Sequence, residues 1–244
     1  MPVVVITGGA HRIGKGLALR FAQRGYDVAV TYNTALDEAI ATQKEIEVLG
    51  QRCIMSKCDV ANPQMIRDSL EMFQSELGHA SVIVSNAGVF PEPHSVLETP
   101  SSLVQETLLV NTLPLLTIAQ VYQESCTLHA AHGRLISLGS LGALEIWKDR
   151  IAYNVSKSAL QTLALTLARG LAPAMSVNTV SPGAITQPEE ATANDSYLID
   201  PKRIPMNRHG TVDDIFDAVW FFATSSLYIT GQTIVVDGGY HLVR

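Results

Sequence analysis

The sequence predicts an α/β chain folded as one doubly wound domain, a seven-stranded and mostly parallel sheet with helices on both faces. Three observations lead there. Short apolar runs of strand length alternate with longer stretches of helical periodicity, the pattern of successive βαβ units. Most of the short runs are too apolar to turn either face to water, as strands buried between two helical layers must be. The 244 residues also run as one series without repeat, linker or low-complexity segment, long enough for one sizeable core.

In chain order the strands are expected at Val3–Thr7, Asp27–Tyr32, Arg52–Lys57, Val82–Ser85, Arg134–Leu138, Ser176–Val180 and Thr233–Val236. Helices are expected at Ile13–Arg24, Leu36–Leu49, Pro63–Leu77, Ser101–His129, Ile151–Leu171 and Thr211–Phe222. Gly25, Gly50 and Gly78 stand where the first three helices should stop, because glycine accepts the left-handed backbone that ends a helix. Gly183–Gly210, rich in Pro, Asn, Asp and Glu, is the one long irregular stretch, and long loops in compact domains tend to be lids over a substrate.

Composition narrows the class. Hydrophobic residues make up 47% of the chain and aromatic ones 6%, with a net charge of −6, which fits a globular protein and no membrane association. The acidic balance and the lack of any Lys/Arg-rich run argue against nucleic acid as a partner and leave a small molecule as the expected ligand. Cys53, Cys58 and Cys126 have neither CxxC nor metal-like spacing, so reduced thiols, a cytoplasmic location and no metal site are expected. The run from Met1 to Ile6 has no basic flank and meets Gly8-Gly9 too early for a signal or a span, so it reads as a buried strand.

Thr7-Gly8-Gly9-Ala10-His11-Arg12-Ile13-Gly14 follows the first strand and opens the first helix. In Rossmann-type folds this is where a dinucleotide pyrophosphate meets helix N-terminal amides. Arg12 stands where a further glycine would be expected, and a guanidinium there favours phosphate. A carboxylate at the end of the second strand would bind a ribose 2′-hydroxyl and repel a 2′-phosphate. Tyr32-Asn33-Thr34 has none, so NADPH is favoured over NADH.

Tyr153 and Lys157 lie one helical turn apart on one face, where a phenol and an ammonium can act on the same substrate. Chance alone gives such a pair in roughly one chain in six of this composition, so the argument needs further residues. Ser140 lies thirteen residues before Tyr153, at the carboxyl edge of a strand where open α/β sheets bind ligands. Asn111 interrupts an apolar helical run in which its side chain competes with backbone hydrogen bonds, which points to a kink or a relay.

Thr7-Gly8 through Gly14, Asp59-Val60, Asn86-Ala87-Gly88, Asn111, Ser140, Tyr153/Lys157, Pro182-Gly183 and Asp237-Gly238-Gly239 resemble, in order and spacing, the short-chain dehydrogenases/reductases over the whole chain. The resemblance implies a hydride-transferring NADP-dependent enzyme acting on a C=O or C=N group. It implies that Gly8, Arg12, Ile13 and Gly14 surround the pyrophosphate together with His11, and that Asp59 and Val60 hold the adenine. Asn86, Ala87 and Gly88 would line the cleft, Pro182 and Gly183 would border the cofactor, and Ile185 would meet the carboxamide. Tyr153 would be the general acid, helped toward neutrality by an adjacent ammonium and a cationic nicotinamide. Ser140 would orient the substrate oxygen, Lys157 would tie down the nicotinamide ribose, and Asn111 would hold a water that relays protons through Lys157.

Arg12, Phe90 and the stretches Val177–Ile185 and Asp237–Leu242 look like the pteridine reductase branch, where an aromatic residue at the position of Phe90 stacks a flat reduced pterin. Trp147 joins Phe90, Ser140 and Tyr153 as the expected substrate contacts. Two departures pull the other way: that branch generally carries Asp where Ser140 stands, and some members have a basic pair in place of Asn33-Thr34. A serine hydroxyl donates equally well to a ketone, so a ketone or 3-oxoacyl reductase is the alternative. A non-catalytic dinucleotide sensor is a third reading, disfavoured because binding alone does not need the acid. The family resemblance further implies a homotetramer.

Overall fold

The computed structural model describes residues 1–186 and 199–243. All seven expected strands form: β1 (Val3–Ile6), β2 (Asp27–Tyr32), β3 (Cys53–Lys57), β4 (Val82–Ser85), β5 (Gly133–Leu138), β6 (Met175–Pro182) and β7 (Thr233–Val236). They make one sheet in the order β3-β2-β1-β4-β5-β6-β7, and every pairing is parallel. The helices are α1 (Arg12–Gln23), α2 (Leu36–Val48), α3 (Pro63–Leu77), α4 (Ser101–Asn111), α5 (Leu113–Leu128), α6 (Ile151–Leu171) and α7 (Val212–Thr224).

Alternation along the strands sorts the core into two layers, because successive side chains point to opposite faces. Val3 and Val5 pack with Ile83, Leu135 and Val177 against Phe73 of α3, Ile118 of α5 and Leu160 of α6. Val4 and Ile6 pack with Val30, Val84 and Ile136 against Leu17 and Phe21 of α1, Ile46 of α2 and Ile215 and Val219 of α7. At the amino edge of the sheet the fully buried Asp27 accepts from the Arg52 main chain at 2.9 Å and from its guanidinium at 2.6 and 2.8 Å, which ties the start of β2 to the entry of β3.

Helix ends follow the local chemistry. Gly25, Gly50 and Gly78 all take positive φ, as helix stops require. Asn62 caps α3 by accepting from Gln64 N and Met65 N, with Pro63 in the first turn. Thr211 and Asp214 form a reciprocal capping box on α7.

One expected element is corrected. The single helix expected over Ser101–His129 is two, α4 and α5, meeting at Thr112, whose φ of −120° and ψ of −57° leave the helical region. Pro114 lies in the first turn of α5, where its missing N–H and fixed φ are tolerated; in a continuous helix it would have removed a hydrogen bond. Ser101–Leu128 is apolar enough to cross a membrane by length and composition if counted as one helix. As two helices it lies along the sheet, α4 against α6 and α5 against α3 and α6.

The strand order reverses direction between β1 and β4, so the connections leaving these strands part to opposite faces and open a crevice at their carboxyl ends. Of the stretch expected to form a lid, residues 187–198 lie outside the described residues. Its two ends are joined: Ile185 bridges Gly210, with Thr186 N donating to Gly210 O at 3.0 Å and Gly210 N to Ala184 O at 2.9 Å. Ile204, from the later part of this stretch, forms a small buried cluster with Leu141 and Tyr240.

Candidate active site

A cleft of about 330 Å³ occupies the crevice. Gly8, His11, Arg12, Ile13, Gly14, Asn33, Thr34, Asp59, Val60, Asn86, Ala87 and Gly88, all expected to contact a cofactor, line it together. Two glycines make the cradle. Gly8 has φ +65°, and a Cβ on Gly14 would come within 2.1 Å of Gly8 O, so no side chain fits between the turn and the first turn of α1. This close-packed, glycine-walled turn at a helix N-terminus suits a pyrophosphate.

The cradle is held by residues on neighbouring strands. Thr7 Oγ1 accepts from Asn86 N at 3.0 Å and Ala87 N at 3.1 Å, while Asn86 Nδ2 donates to Thr7 O and Gly8 O. Gly8 N donates to Thr31 Oγ1, and Thr42 on α2 donates its hydroxyl to Ala10 O. Thr7 and Thr31 were missed as site residues because each reads as an ordinary strand threonine. Asn86, expected to line the cleft, is also the bolt between β1 and β4.

Arg12 has φ +51°, in the left-handed region that disfavours residues with a Cβ. It lines the cleft with Asn33 and Thr34, which are exposed at the end of β2. Asp59 Oδ1 accepts from Ala61 N at 3.0 Å, shaping the turn into α3 beside Val60.

The second half of the site lies past Gly88. A Cβ there would sit 3.1 Å from Asn111 Oδ1 and 3.8 Å from Lys157 Nζ, so the cleft floor runs directly onto Lys157. Lys157 is buried on α6, its Nζ donates to Leu138 O at 2.9 Å, and burial lowers its ammonium to about 8. One turn earlier the Tyr153 phenol is pushed above its ordinary value by burial, and a hydrogen bond with Ser140 and the charge of Arg150 pull it partly back. In the protein alone desolvation outweighs these neighbours; the drift toward neutrality is expected only with a cationic nicotinamide beside the phenol. Ser140 is buried, and its Oγ also accepts from Gly142 N at 3.1 Å, which fixes the hydroxyl at the start of a short 3₁₀ turn.

Aromatic rings surround the phenol. Trp147 stacks on Tyr153 with an interplanar angle of 11° and a centroid separation of 5.9 Å, and Phe90 meets it edge-on at 4.6 Å and 89°. The four expected substrate contacts, Phe90, Ser140, Trp147 and Tyr153, are thus brought together.

Asn111 bonds through both atoms of its amide. Its Nδ2 donates to Val89 O and to Ser156 Oγ, both at 3.0 Å, and its Oδ1 accepts from Val89 N at 2.7 Å. The side chain is a strut between the end of α4, the 86–90 segment and α6. Thr112, with its hydroxyl donating to Ser156 O, adds a second tie at the helix break. Pro182 and Gly183 end β6 outside the cleft lining. A Cβ on Gly183 would lie 2.6 Å from that of Asp237, so the glycine is needed by the packing of the C-terminal segment. Ile185 is buried, with its Cδ1 against Gly210. Arg150, not anticipated from the sequence, places its guanidinium over Phe90 with 4.1 Å from Cζ to the ring centroid.

Comparison with known proteins agrees with this geometry. A sequence profile for the family described as Enoyl-(Acyl carrier protein) reductase matches residues 8–241. L-rhamnose 1-dehydrogenase (NAD(P)(+)) of Sphingomonas is 31% identical over 248 residues, covering 98% of this chain and 96% of that protein. A 3-oxoacyl-(acyl-carrier-protein) reductase of Staphylococcus epidermidis is 29% identical and covers 98% of both chains. The crystal structure of an acetoin dehydrogenase from Salmonella typhimurium superimposes with a TM-score of 0.89 at 28% identity, covering 100% of this chain and 97% of that one. A short-chain dehydrogenase from Burkholderia cenocepacia in complex with NADP gives 0.88 at 29% identity, covering 98% of both. The crevice at the strand reversal, with Lys157 against its Gly88 wall and the Tyr153–Ser140 pair one helical turn from it, defines a dinucleotide-dependent oxidoreductase. The chain belongs to the short-chain dehydrogenase/reductase family.

Proposed function

We propose that this protein is an NADPH-dependent reductase of a compact ketone, interconverting C=O and CH–OH. The observation that carries the reading is the buried Tyr153 phenol hydrogen-bonded to the fixed Ser140 hydroxyl, with Lys157 one turn away beneath the cleft floor. Gly8 and Gly14 would cradle the pyrophosphate, Arg12, Asn33 and Thr34 would face the 2′-phosphate, and Asp59 and Val60 would flank the adenine. When bound, the nicotinamide supplies the hydride that reduces the carbonyl carbon. Ser140 donates to the carbonyl oxygen, and Tyr153 delivers the proton to that oxygen as the C–O bond becomes single. The ammonium of Lys157 stabilises the phenolate left on Tyr153. Acetoin, rhamnose and 3-oxoacyl groups, named for the relatives, are all oxygen-bearing carbonyl or alcohol substrates.

A reduced pterin, of dihydromonapterin or dihydrobiopterin type, is the second reading, favoured by the aromatic walls Phe90 and Trp147. Against it, one face of Phe90 is taken by the Arg150 guanidinium and its neighbours meet it edge-on. NADPH oxidation measured with acetoin-like ketones, acetoacetyl thioesters and dihydropterins separates the readings. Turnover of a ketone or thioester is expected, with Phe90→Ala changing kcat/KM severalfold at most. Turnover of the pterin alone, lost in Phe90→Ala, would transfer the assignment to the second reading.

Cofactor choice gives a further expected result. Asn33→Asp places a carboxylate where the 2′-phosphate would lie, and kcat/KM with NADPH should fall about tenfold or more, equivalent to about 1.4 kcal/mol, while that with NADH does not fall. Steady-state kinetics with the two dinucleotides measures it, and equal losses for both would remove the 2′-phosphate from this end of the cleft. The exposed Leu109, Leu113, Leu116, Val155 and Leu165 on α4, α5 and α6 support assembly through these helices, for which we infer a homotetramer, measurable by light scattering.

A further inference from the structure

The segment after Asn86-Ala87-Gly88 is pinned at successive points. Val89 is held through both its N–H and its carbonyl by Asn111. Pro91 O accepts from Arg150 Nη1, and His94 N donates to Asp149 O at 3.0 Å. Two of these anchors are the residues immediately before α6. Arg150 is buried at 7% exposure, an unusual place for a guanidinium, and its own carbonyl accepts from Asn154 N at 2.8 Å to begin the helix that carries Tyr153 and Lys157. Its cation lies over the ring of Phe90, which in turn abuts the ring of Tyr153.

We propose that Arg150 is a positioning residue for the proton donor: its guanidinium fastens the 88–91 segment to the start of α6, sets the Phe90 ring against Tyr153, and keeps a positive charge behind that pair of rings. A structural tie alone would need only a donor to Pro91 O, which a neutral side chain provides. The buried cation does more, because its charge pulls the Tyr153 phenol downward, favouring the phenolate left after proton transfer. Among the described residues, other charged or titratable groups facing this space are Lys157 on α6, with Nζ 5.8 Å from the Tyr153 ring centroid, and Glu145, which accepts from Trp147 Nε1 at 3.3 Å. Glu92, His94 and Asp149 line the narrow gap between the 91–94 segment and the first turn of α6.

This inference rests on the reading of Tyr153 as the proton donor, and its test has a readout that needs no substrate. The Cζ chemical shift of isotopically labelled Tyr153, assigned by comparison with Tyr153→Phe, is followed against pH with and without NADP. Arg150→Lys keeps the charge, and Arg150→Gln keeps a donor for Pro91 O without it. The Gln variant should raise the titration midpoint of the phenol by roughly half to one pH unit, and the Lys variant should leave it near that of the parent. The pH profile of alcohol oxidation, which needs the phenolate, should move up by the same amount in Gln. In Lys the loss should fall mainly on KM, through a loosened 88–91 segment. Arg150→His, neutral where the phenol ionises, repeats the uncharged case should Gln not fold. Titration midpoints in Gln or His equal to the parent's, or a shift in Lys as large as in the uncharged variants, would overturn the proposal. A shifted midpoint in a protein that reduces no ketone would instead overturn the function proposed above and leave this role standing.

Discussion

Tyr153→Phe is expected to lower kcat for carbonyl reduction by about 10²–10⁴-fold, the range that one positioned general acid contributes, while leaving dinucleotide binding and Tm close to those of the parent. The separation follows from where the hydroxyl sits. The ring is held by Trp147 and Phe90, and phenylalanine keeps that packing. The lost hydroxyl removes one hydrogen bond with Ser140, whose oxygen retains Gly142 N, so the stability change should stay near 1 kcal/mol. What disappears is the proton. Because burial holds the phenol above its ordinary pKa in the protein alone, the acid stays protonated through the neutral range, ready to deliver its proton. Oxidation of the alcohol needs the phenolate and should rise with pH over the same range. Stopped-flow and steady-state rates in both directions, with the melting temperature of the variant, check the prediction. Full turnover in Tyr153→Phe would remove the phenol from the mechanism.

How far the sequence reached can be judged from particular residues. Strands were legible because their signal is local: Val3 to Ile6 or Val28 to Val30 must be apolar on both faces wherever the rest of the chain goes. The glycine-rich turn was legible for the same reason, since Gly8 and Gly14 answer to a contact six residues apart. The break at Thr112 was half legible. Asn111 flagged it and Pro114 could have fixed it, but the leucines around them, Leu108, Leu109, Leu113, Leu115 and Leu116, carry a continuous helical signal that masks a change of axis.

Long-range roles were not legible. Thr7 bonds to residues 79 and 80 positions away, and Arg150 to one 59 away, and nothing local distinguishes them from a strand threonine and a solvated arginine. Asn111 was found by the right signal, but its ties to Val89 and Ser156 were not, because those partners come from two other segments. Phe90 was placed beside the chemistry, yet the guanidinium that covers one face of its ring comes from Arg150, which the sequence left unmarked.

Lys157→Met should show that catalysis and stability pull this site in opposite directions. The expected activity loss is at least about 10²-fold, because the charge that stabilises the Tyr153 phenolate is gone and methionine has no group to replace it. The effect on stability has a definite sign with pH. Burial lowers the folded-state pKa of Lys157 to about 8 from its ordinary 10.5, so between these values the unfolded chain binds more protons than the folded one. Stability of the parent therefore rises as pH climbs through that window, whereas below it the buried ammonium is a standing penalty of roughly 3 kcal/mol. Methionine removes both the penalty and the titration. In the protein without cofactor, the parent should gain on Lys157→Met as pH is raised from about 8 to about 10, by roughly 2 kcal/mol. Urea unfolding at a series of pH values measures the difference. A gap that stays constant over the window would mean that Lys157 is no more desolvated in the folded chain than out of it, and the site would lose the electrostatic strain that makes an ammonium in this position effective.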